Sequence, residues 1–471
     1  MSYERLDKYL EDHLPELLED LAQLVSINSE KAEAEDEMPF GRGNAACSAT
    51  AAKIAEKCGL KVRNYENYVV TADLAPDAPK GVDILAHLDV VPAGDGWTVT
   101  DPFTMKVANG RAYGRGTADD KGPAVCVLYA MRAIRALELP LHKNARLILG
   151  ADEECGGADL DYYFERETSA PFSLSPDAEF PMINIEKGGL HSGFHSDVSV
   201  AESCPRVLSI SGGLKINVIP DKAETKVQGL TEKDVMNVVS ALPDMHGIGV
   251  SCETKGDIVT IRVTGATGHA SEPQRACNAV TALLRILAEL PLSPAPIHQQ
   301  IAAAAAMFPH GDYFGSALGV DLADEISGRT VLSLTICSFS PEKGFDAMFD
   351  CRACVSSNDE NTTHVIYDRF RAAGLEPRIE KTMYEPHHIP EESALVQTLL
   401  DVYEGMTGNR PKPLCIGGGT YVHDIENGIA FGCGFEGLDN RLHAADEFIT
   451  LEQLLFTCKI YARTILAFCG D

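Results

Sequence analysis

The sequence has few basic residues and no long apolar run. Lysine and arginine number 40 against 69 aspartates and glutamates, which gives a formal net charge of -29 at pH 7. Such an acidic surface repels phosphate groups, so we expect no nucleic-acid partner. No apolar run approaches the ~20 residues that a membrane-spanning helix requires, so we expect no membrane partner either.

We also expect no secretory signal. The first stretch reads MSYERLDKYLEDHLPELLEDLAQLVSI, with acidic residues throughout and apolar residues at helical spacing. This pattern predicts an amphipathic helix. The 14 cysteines are scattered, which favours reduced thiols in the cytoplasm. Cys351 and Cys354 form a CxxC, but no second cysteine pair accompanies them, so we interpret this segment as a strand.

At 471 residues the chain is too long for one ordinary core, so more than one domain is expected. In its outer parts apolar segments alternate with helical ones, which is typical of βαβ units. Its middle part mixes strands and helices differently. We therefore predict an α/β catalytic domain with a mixed, mainly parallel sheet flanked by helices, formed by residues 1–186 and 383–471. An α+β lid domain, residues 187–382, is inserted into it.

Helical spacing predicts three further helices that can be compared with the structure. They cover Asn44–Cys58, Gly122–Leu137 and Gln274–Leu290.

Several apolar segments end in ionisable side chains. The segment Val82–Ala86 runs into His87 and Asp89, which point to the same side of an extended chain because the side-chain period is two. Ligands of open α/β sheets bind beyond the carboxyl ends of the strands, so these side chains are placed where a site is expected. The candidates are His87, Asp119, Glu153, Glu154, Asp177 and His443.

Carboxylates mixed with imidazoles indicate a site for zinc, manganese or cobalt, and not a structural site with thiolate ligands. Two imidazoles and three carboxylates exceed what one tetrahedral ion needs, but suffice for two ions that share a bridging carboxylate. One of the adjacent glutamates can bind metal while the other acts as a base. Each motif alone has an ordinary explanation, as a surface pair, a solvated turn or a helix start. Their occurrence at successive strand ends favours a metal site.

The motifs HLDVVP, GRGTADDKGP, ADEECGG, SPDAEFP and RLHAADE together resemble a known family. It is the dinuclear zinc metallopeptidase family of aminoacylases, carnosinases, succinyl-diaminopimelate desuccinylases and glutamate carboxypeptidases. The long lid and the segment GWTVTDPF look most like the PepV-type (Sapep) dipeptidases. The resemblance covers nearly the whole chain and implies a zinc-peptidase-like catalytic domain with an inserted lid.

The resemblance implies two divalent metal ions, zinc or alternatively manganese or cobalt. His87 and Asp177 would hold one ion, Glu154 and His443 would hold the other, and Asp119 would bridge them. These roles are expectations carried over from the family.

It also implies the catalytic groups. Glu153 would be the general base that activates the bridging water, and Asp89 would orient His87. His269, in TGATGHASEP, would polarise the scissile carbonyl and stabilise the oxyanion. The Asp119–Asp120 peptide is expected to be cis, as is common in the family.

Further matches concern substrate binding. Asn217 and Arg352 match lid positions that contact the substrate backbone and its free carboxylate. A glycine-rich loop would also receive that carboxylate; its residues are Gly417, Gly418, Gly419 and Thr420. The chain departs from the family at His423, where relatives often carry arginine, and this bears on the carboxylate clamp.

The implied function is a cytoplasmic metal-dependent dipeptidase that hydrolyses the peptide bond of small peptides. Its partners are small dipeptide substrates, and a monomer is plausible, with a homodimer as the alternative. One competing interpretation is an N-acyl amino acid amidohydrolase such as a succinyl-diaminopimelate desuccinylase. Another, from a different class, is a catalytically silent metal- or peptide-binding protein. That one predicts loss of the base or a ligand, and the sequence retains all of them.

Overall fold

The computed structural model describes residues 3–243, 245–378 and 382–470. The chain divides into two compact units. Unit 1 comprises Met1–Ile185, His388–Cys415 and Gly419–Asp471, and unit 2 comprises Glu186–His387 and Ile416–Gly418. Within the described ranges, no helix is both long and apolar enough to cross a membrane.

Unit 1 is built on a mixed sheet whose central strands are parallel. In sheet order its strands are Lys61–Tyr65, Val69–Asp73, Asn144–Gly150, Lys80–His87, Phe172–Ser175, Gly428–Ala430 and Ile183–Glu186, and the short strands His387–His388 and Leu414–Ile416 pair with the last of these. The four from Asn144–Gly150 to Gly428–Ala430 run parallel, and their neighbours on either side run antiparallel. The predicted α/β class is thus confirmed, with parallel pairing confined to the centre.

Two small sheets complete the strands of unit 1. One is antiparallel, formed by Lys106–Ala108, Arg111–Tyr113 and Phe448–Thr450. In the other, Ala178–Glu179 runs parallel to Cys433–Gly434. The helices are Glu4–Asp12, Leu14–Val25, Arg42–Lys57, Lys121–Ala136, Ala158–Phe164, Ala394–Thr407 and Leu451–Cys469, with a single helical turn at Glu153–Cys155.

The central strands of unit 1 lie in its core. Strand Lys80–His87 is buried from its second residue onward, and helix Lys121–Ala136 is buried on nearly all sides. Burial on both faces is what a parallel sheet covered by helices requires. The helices predicted at Asn44–Cys58 and Gly122–Leu137 are confirmed to within two residues.

The N-terminal helix differs from the prediction. In place of one helix the chain forms two, Glu4–Asp12 and Leu14–Val25, which meet at His13. The second helix carries proline in its first turn. Proline fits there because it has no N–H to donate, but in a helix interior it breaks the hydrogen-bond ladder.

Unit 2 contains an antiparallel sheet. In sheet order its strands are Gly249–Lys255, Ile258–Thr264, Lys222–Gln228, Arg206–Gly212, Val331–Ser340, Gly344–Ala353, Gly188–Ser196 and Glu376–Pro377. Two further antiparallel strand pairs lie outside it, Val218–Ile219 with Gly268–His269 and Ala323–Asp324 with Gly328–Arg329. The helices are Glu232–Ala241, Ala279–Glu289, Pro296–Met307 and His364–Ala372, with short turns at Pro273–Arg275 and Asp359–Thr363.

Strand Ile258–Thr264 shows how unit 2 forms its core. Val259, Ile261 and Val263 are buried while the residues between them are more exposed, which is the period of a sheet covered on one face. The predicted helix Gln274–Leu290 starts too early. The helix begins at Ala279, because the Asn278 side chain accepts the N–H groups of the first turn.

Asp83 generates a prediction about stability. Its carboxylate is buried in the central sheet, with one oxygen accepting the N–H of Ala170 at 2.7 Å. Burial raises the pKa of Asp83 from 3.8 to about 6. The folded chain therefore binds this proton more tightly than the unfolded chain, so stability is lost as the pH rises from about 4 through about 6.

We expect Asp83→Asn to remove this loss. The free energy of unfolding of Asp83→Asn minus that of wild type should increase by about 2 kcal/mol between pH 4 and pH 7. Urea unfolding of both proteins across this range measures the difference. If the difference in free energy of unfolding between the two proteins were the same at every pH, the raised pKa of Asp83 would be contradicted.

Candidate metal centre

The four parallel strands of unit 1 bring the predicted residues together. His87 is the last residue of its strand, Asp177 follows Phe172–Ser175, and Glu154 follows Asn144–Gly150. These three strands are neighbours in the sheet, so their carboxyl ends meet at one edge. The pattern of apolar segments that end in ionisable residues therefore marks one site.

Two overlapping groups of three side chains could each hold a metal ion. His87, Asp119 and Asp177 form one group, and Asp119, Glu154 and His443 form the other. Within each group the ligand atoms lie within 4.8 Å of one another. Asp119 belongs to both: its Oδ1 lies 2.9 Å from His87 Nε2 and its Oδ2 lies 2.9 Å from His443 Nε2. Its carboxylate thus has the position that a bridging ligand needs.

Buried atoms without partners support a metal interpretation. Nε2 of His87, Oδ1 of Asp119 and Oε1 of Glu154 are buried and have no well-aligned hydrogen-bond partner among the described residues, although His87 Nε2 and Asp119 Oδ1 lie 2.9 Å apart. Buried polar atoms are rarely left unsatisfied unless a water or an ion completes them. All three belong to the candidate ligand set, so the donors present fit a divalent cation.

The pKa shifts of the ionisable groups at the site also support a metal interpretation. The carboxylates of Asp119 and Glu154 raise the pKa of His443 to about 10. Burial raises the pKa of Asp177, and the charge on Asp119 adds to it. Burial also raises the pKa of Glu153 well above its ordinary value, with neighbouring carboxylates adding to the effect. The site has an excess of negative charge that bound cations would offset.

A buried ion pair fixes the segment that carries Asp119. Glu447 Oε1 accepts the N–H of Ala118 at 3.0 Å and the N–H of Asp119 at 3.3 Å. Its other oxygen lies 2.5 Å from the guanidinium of Arg115. The peptide Asp119–Asp120 is cis, as the resemblance implied.

The loop that carries His443 is held in an unusual conformation. Arg441, His443 and Asp446 all have φ near +60°. Residues other than glycine adopt this backbone conformation only at a cost in free energy. Asp446 accepts both the N–H and the hydroxyl of Thr98 and also the N–H of Val99. These bonds compensate for the backbone strain, so the imidazole is held towards the shared carboxylate.

Asp89 has more contacts than the sequence suggested. Its carboxylate lies 3.4 Å from His87 Nδ1, although the backbone carbonyl of Asp89 is nearer, at 3.0 Å. The same carboxylate accepts the N–H groups of Glu153 at 3.2 Å and Glu154 at 3.1 Å. Asp89 therefore contacts both a candidate ligand and the turn that carries the candidate base.

Glu153 also lines a cavity of about 900 Å³ in unit 1. Thr420 and Tyr421 line it as well. Its acidic lining residues are Glu153, Asp161, Glu165, Glu167, Asp424 and Glu426. The cavity therefore carries strong negative charge.

The predicted substrate residues of unit 2 lie close to one another. His269 pairs with Val218 in a short antiparallel strand pair, and the backbone N–H of Ala270 donates to the carbonyl of Asn217 at 2.9 Å. Arg352 makes two hydrogen bonds to Asp350, and its Nη1 donates to the carbonyl of Gly417 at 2.7 Å.

Ser271 links these two pairs. Its Oγ lies 2.6 Å from His269 Nδ1, and a Cβ added at Gly417 would come within 3.1 Å of its Cβ. Gly418 follows in the same unit, whereas Gly419 and Thr420 belong to unit 1. The turn after Thr420 is closed by a hydrogen bond from the N–H of His423 to its carbonyl at 3.0 Å.

Sequence reasoning missed several residues that support the site. Glu447 lies in the quoted motif RLHAADE, where its position four residues after His443 could have drawn attention to it. Asp159 and Tyr421 gave no such signal, because they meet across 262 positions of the chain.

An α/β sheet whose strand ends gather two overlapping sets of imidazoles and carboxylates is an arrangement suited to metal-dependent hydrolysis. Residues 84–467 match the model of a family described as Peptidase family M20/M25/M40. The chain belongs to this family, which confirms the resemblance found in the sequence.

Individual relatives agree with the family. The chain is 32% identical over 458 residues to "Putative dipeptidase YtjP" of Bacillus subtilis (strain 168), with 96% of each chain covered. It is 30% identical over 460 residues to the Beta-Ala-Xaa dipeptidase of Lactobacillus delbrueckii subsp. lactis, covering 97% of this chain and 96% of that one. Its fold is similar to that of human carnosine dipeptidase 1, with a TM-score of 0.60, 18% identity and 99% of each chain covered.

The shared carboxylate leads to a prediction about metal content. Because Asp119 belongs to both groups, Asp119→Ala should lose both ions, whereas Asp177→Ala should lose one. Asp161→Asn, an exposed acidic residue of the same unit outside both groups, should keep two. Metal analysis of the purified proteins after reconstitution with zinc or manganese gives the stoichiometry. Two ions retained by Asp119→Ala would contradict the bridging position.

Proposed function

We propose that the chain is a dipeptidase that uses two divalent cations, with zinc as the first candidate and manganese or cobalt as alternatives. One observation carries the proposal. Asp119 belongs to both three-ligand groups, and Glu153, which adjoins the candidate ligand Glu154, belongs to neither group. The relatives named as dipeptidases over nearly their whole length support a small-peptide substrate.

The roles of the ligands follow from their grouping. We propose that His87 and Asp177 hold one ion, that Glu154 and His443 hold the other, and that Asp119 bridges the two. The bound ions would supply electrophilic polarisation of water and of the scissile carbonyl. The protein itself must then move a proton, because hydrolysis of an amide takes one from water and gives one to the leaving amine.

Glu153 is the residue suited to that transfer. It adjoins Glu154 but belongs to neither metal group. It lines the cavity described above, so it faces space that a substrate can enter. As general base it accepts the proton of the attacking water, and as general acid it delivers that proton to the amine. Asp89 holds the backbone N–H of Glu153 and so helps to set its position.

We propose substrate-binding roles for the residues in unit 2. His269 stabilises the oxyanion, and Ser271 holds its ring by the contact at 2.6 Å. Asn217, Arg352 and Gly417 bind the substrate backbone and its carboxylate, together with Gly418, Gly419 and Thr420. These roles assign the metal ligands, the base and the glycine-rich loop to a catalytic domain of residues 1–186 and 383–471. They assign His269, Asn217 and Arg352 to a lid of residues 187–382.

The charge of the cavity favours dipeptides over succinylated substrates. Six of its lining residues are acidic, and none of the described residues that line it is lysine or arginine. A succinyl group adds a second carboxylate, which these side chains would repel. On the same side of the scissile bond a dipeptide instead presents a cationic amino group. A dipeptide substrate is therefore the better match to this cavity.

Replacement of Glu153 tests the proposal. Glu153→Gln keeps the shape of the side chain but cannot accept the proton, so kcat for dipeptide hydrolysis should fall by about 10²–10⁴-fold. Metal content should remain at two ions per chain. Glu165→Gln, the same substitution in another residue that lines the cavity, should leave kcat unchanged.

Assays with a dipeptide panel and with succinyl-diaminopimelate decide the substrate. Undiminished hydrolysis by Glu153→Gln would exclude the proposed base. Cleavage of the succinylated compound alone would show that the activity is that of an amidohydrolase.

A further inference from the structure

The turn that carries Glu153 and Glu154 is held by two carboxylates. Four consecutive backbone N–H groups, those of residues 151–154, donate to Asp159 and Asp89 and to no other side chain among the described residues. Asp159 Oδ2 alone accepts the first two, at 2.6 and 2.9 Å. Because these bonds fix the direction of the main chain, they also fix where the side chains of the turn begin.

Tyr421 completes this arrangement from a distant part of the chain. Its hydroxyl donates to Asp159 Oδ2, the same oxygen that accepts the N–H groups of Ala151 and Asp152. Its ring meets that of His87 edge-on, with the ring centroids 6.1 Å apart. Tyr421 thus contacts both the support of the turn and a candidate metal ligand.

Glycine is required where the tyrosine passes the strand. A Cβ added at Gly150 would lie 2.1 Å from the hydroxyl oxygen of Tyr421 and 2.3 Å from Oδ2 of Asp159. Real Cβ atoms do not approach other atoms so closely, so the hydroxyl and the carboxylate occupy the space directly against the backbone. Asp159 is fully buried. A buried carboxylate near several others is costly unless its hydrogen bonds are satisfied, and the Tyr421 hydroxyl provides one of these bonds.

We propose that Tyr421 and Asp159 are positioning residues for the 151–154 turn, and through it for Glu153 and Glu154. Asp159 belongs to neither of the two metal groups, and the hydroxyl of Tyr421 is directed at the Asp159 carboxylate. They act by holding the backbone from which the base and one ligand project. The inference rests on the proposed function for the role of Glu153, and on the metal groups for the role of Glu154.

The variant Tyr421→Phe removes one hydroxyl and keeps the ring. Tyr129→Phe is the matched control, because Tyr129 is equally a buried tyrosine whose hydroxyl donates to an aspartate, Asp20, at 2.7 Å. That pair joins two helices of unit 1 and lies outside the turn. Both variants lose the same kind of bond, so a general effect of lost stability appears in both.

Calorimetric titration of the metal-depleted proteins with Mn²⁺ separates the two binding steps. Glu154→Gln and Asp177→Asn identify which step belongs to which group. Tyr421→Phe should weaken the affinity for Mn²⁺ about tenfold at the group that contains Glu154, the usual cost of losing a residue that orients a ligand. The affinity at the group that contains Asp177 should change by no more than about twofold. The variant should also lower kcat about tenfold with little change in KM. Tyr129→Phe should change neither step.

Equal weakening of both steps, or a Tyr421→Phe titration that matches Tyr129→Phe, would overturn the inference. Circular dichroism checks that each variant folds. If Tyr421→Phe fails to fold, Asp159→Asn takes its place, with a larger selective loss expected because Asn presents one acceptor oxygen instead of two. If the wild-type protein binds two ions but cleaves no dipeptide, the proposed function fails, and the titration still decides the role of Tyr421.

Discussion

The site depends on one carboxylate that two imidazoles share. His87 and His443 each approach a different oxygen of Asp119 to 2.9 Å, and these two histidines come from positions far apart in the chain. Burying so many carboxylates together is unfavourable in water-free surroundings, because each loses its hydration and repels the others. Divalent cations bound at the two groups would remove that penalty. Metal binding and the folding of this edge of the sheet would then be coupled.

The surrounding structure holds the ligands by carboxylate–backbone bonds. Glu447 accepts N–H groups beside Asp119, Asp446 holds the loop of His443 to the segment at Thr98, and Asp89 and Asp159 hold the turn after strand Asn144–Gly150. Each uses a negative charge to orient main chain near a site that is itself negative. This arrangement explains a small part of the excess of acidic residues in the composition, since several of them are fixed components of the site and not surface charges.

Much of the fold and of the ligand set could be predicted from the sequence, because both depend on local patterns. An apolar run that ends in His87 predicts a buried strand with a polar end, and the structure confirms the strand Lys80–His87. The same holds for the helix after Asp120. Strand Gly188–Ser196 cannot be predicted in this way, because its glycines and histidines obscure the alternation of a strand. The early start predicted for helix Ala279–Glu289 reflects a cap, Asn278, that lies inside the predicted range.

Other parts could not be predicted, because they depend on contacts between distant segments. Nothing in the sequence links Tyr421 to Asp159. No motif indicates that the Asp89 carboxylate accepts the backbone N–H of Glu153. The individual roles of the ligands, of Glu153 and of the substrate residues remain predictions supported by geometry.

The most direct measurement is anomalous diffraction from crystals soaked in zinc or manganese. The account predicts two peaks, one among His87, Asp119 and Asp177 and the other among Asp119, Glu154 and His443, with Asp119 contacting both. A single peak, or two peaks that do not share Asp119, would contradict it.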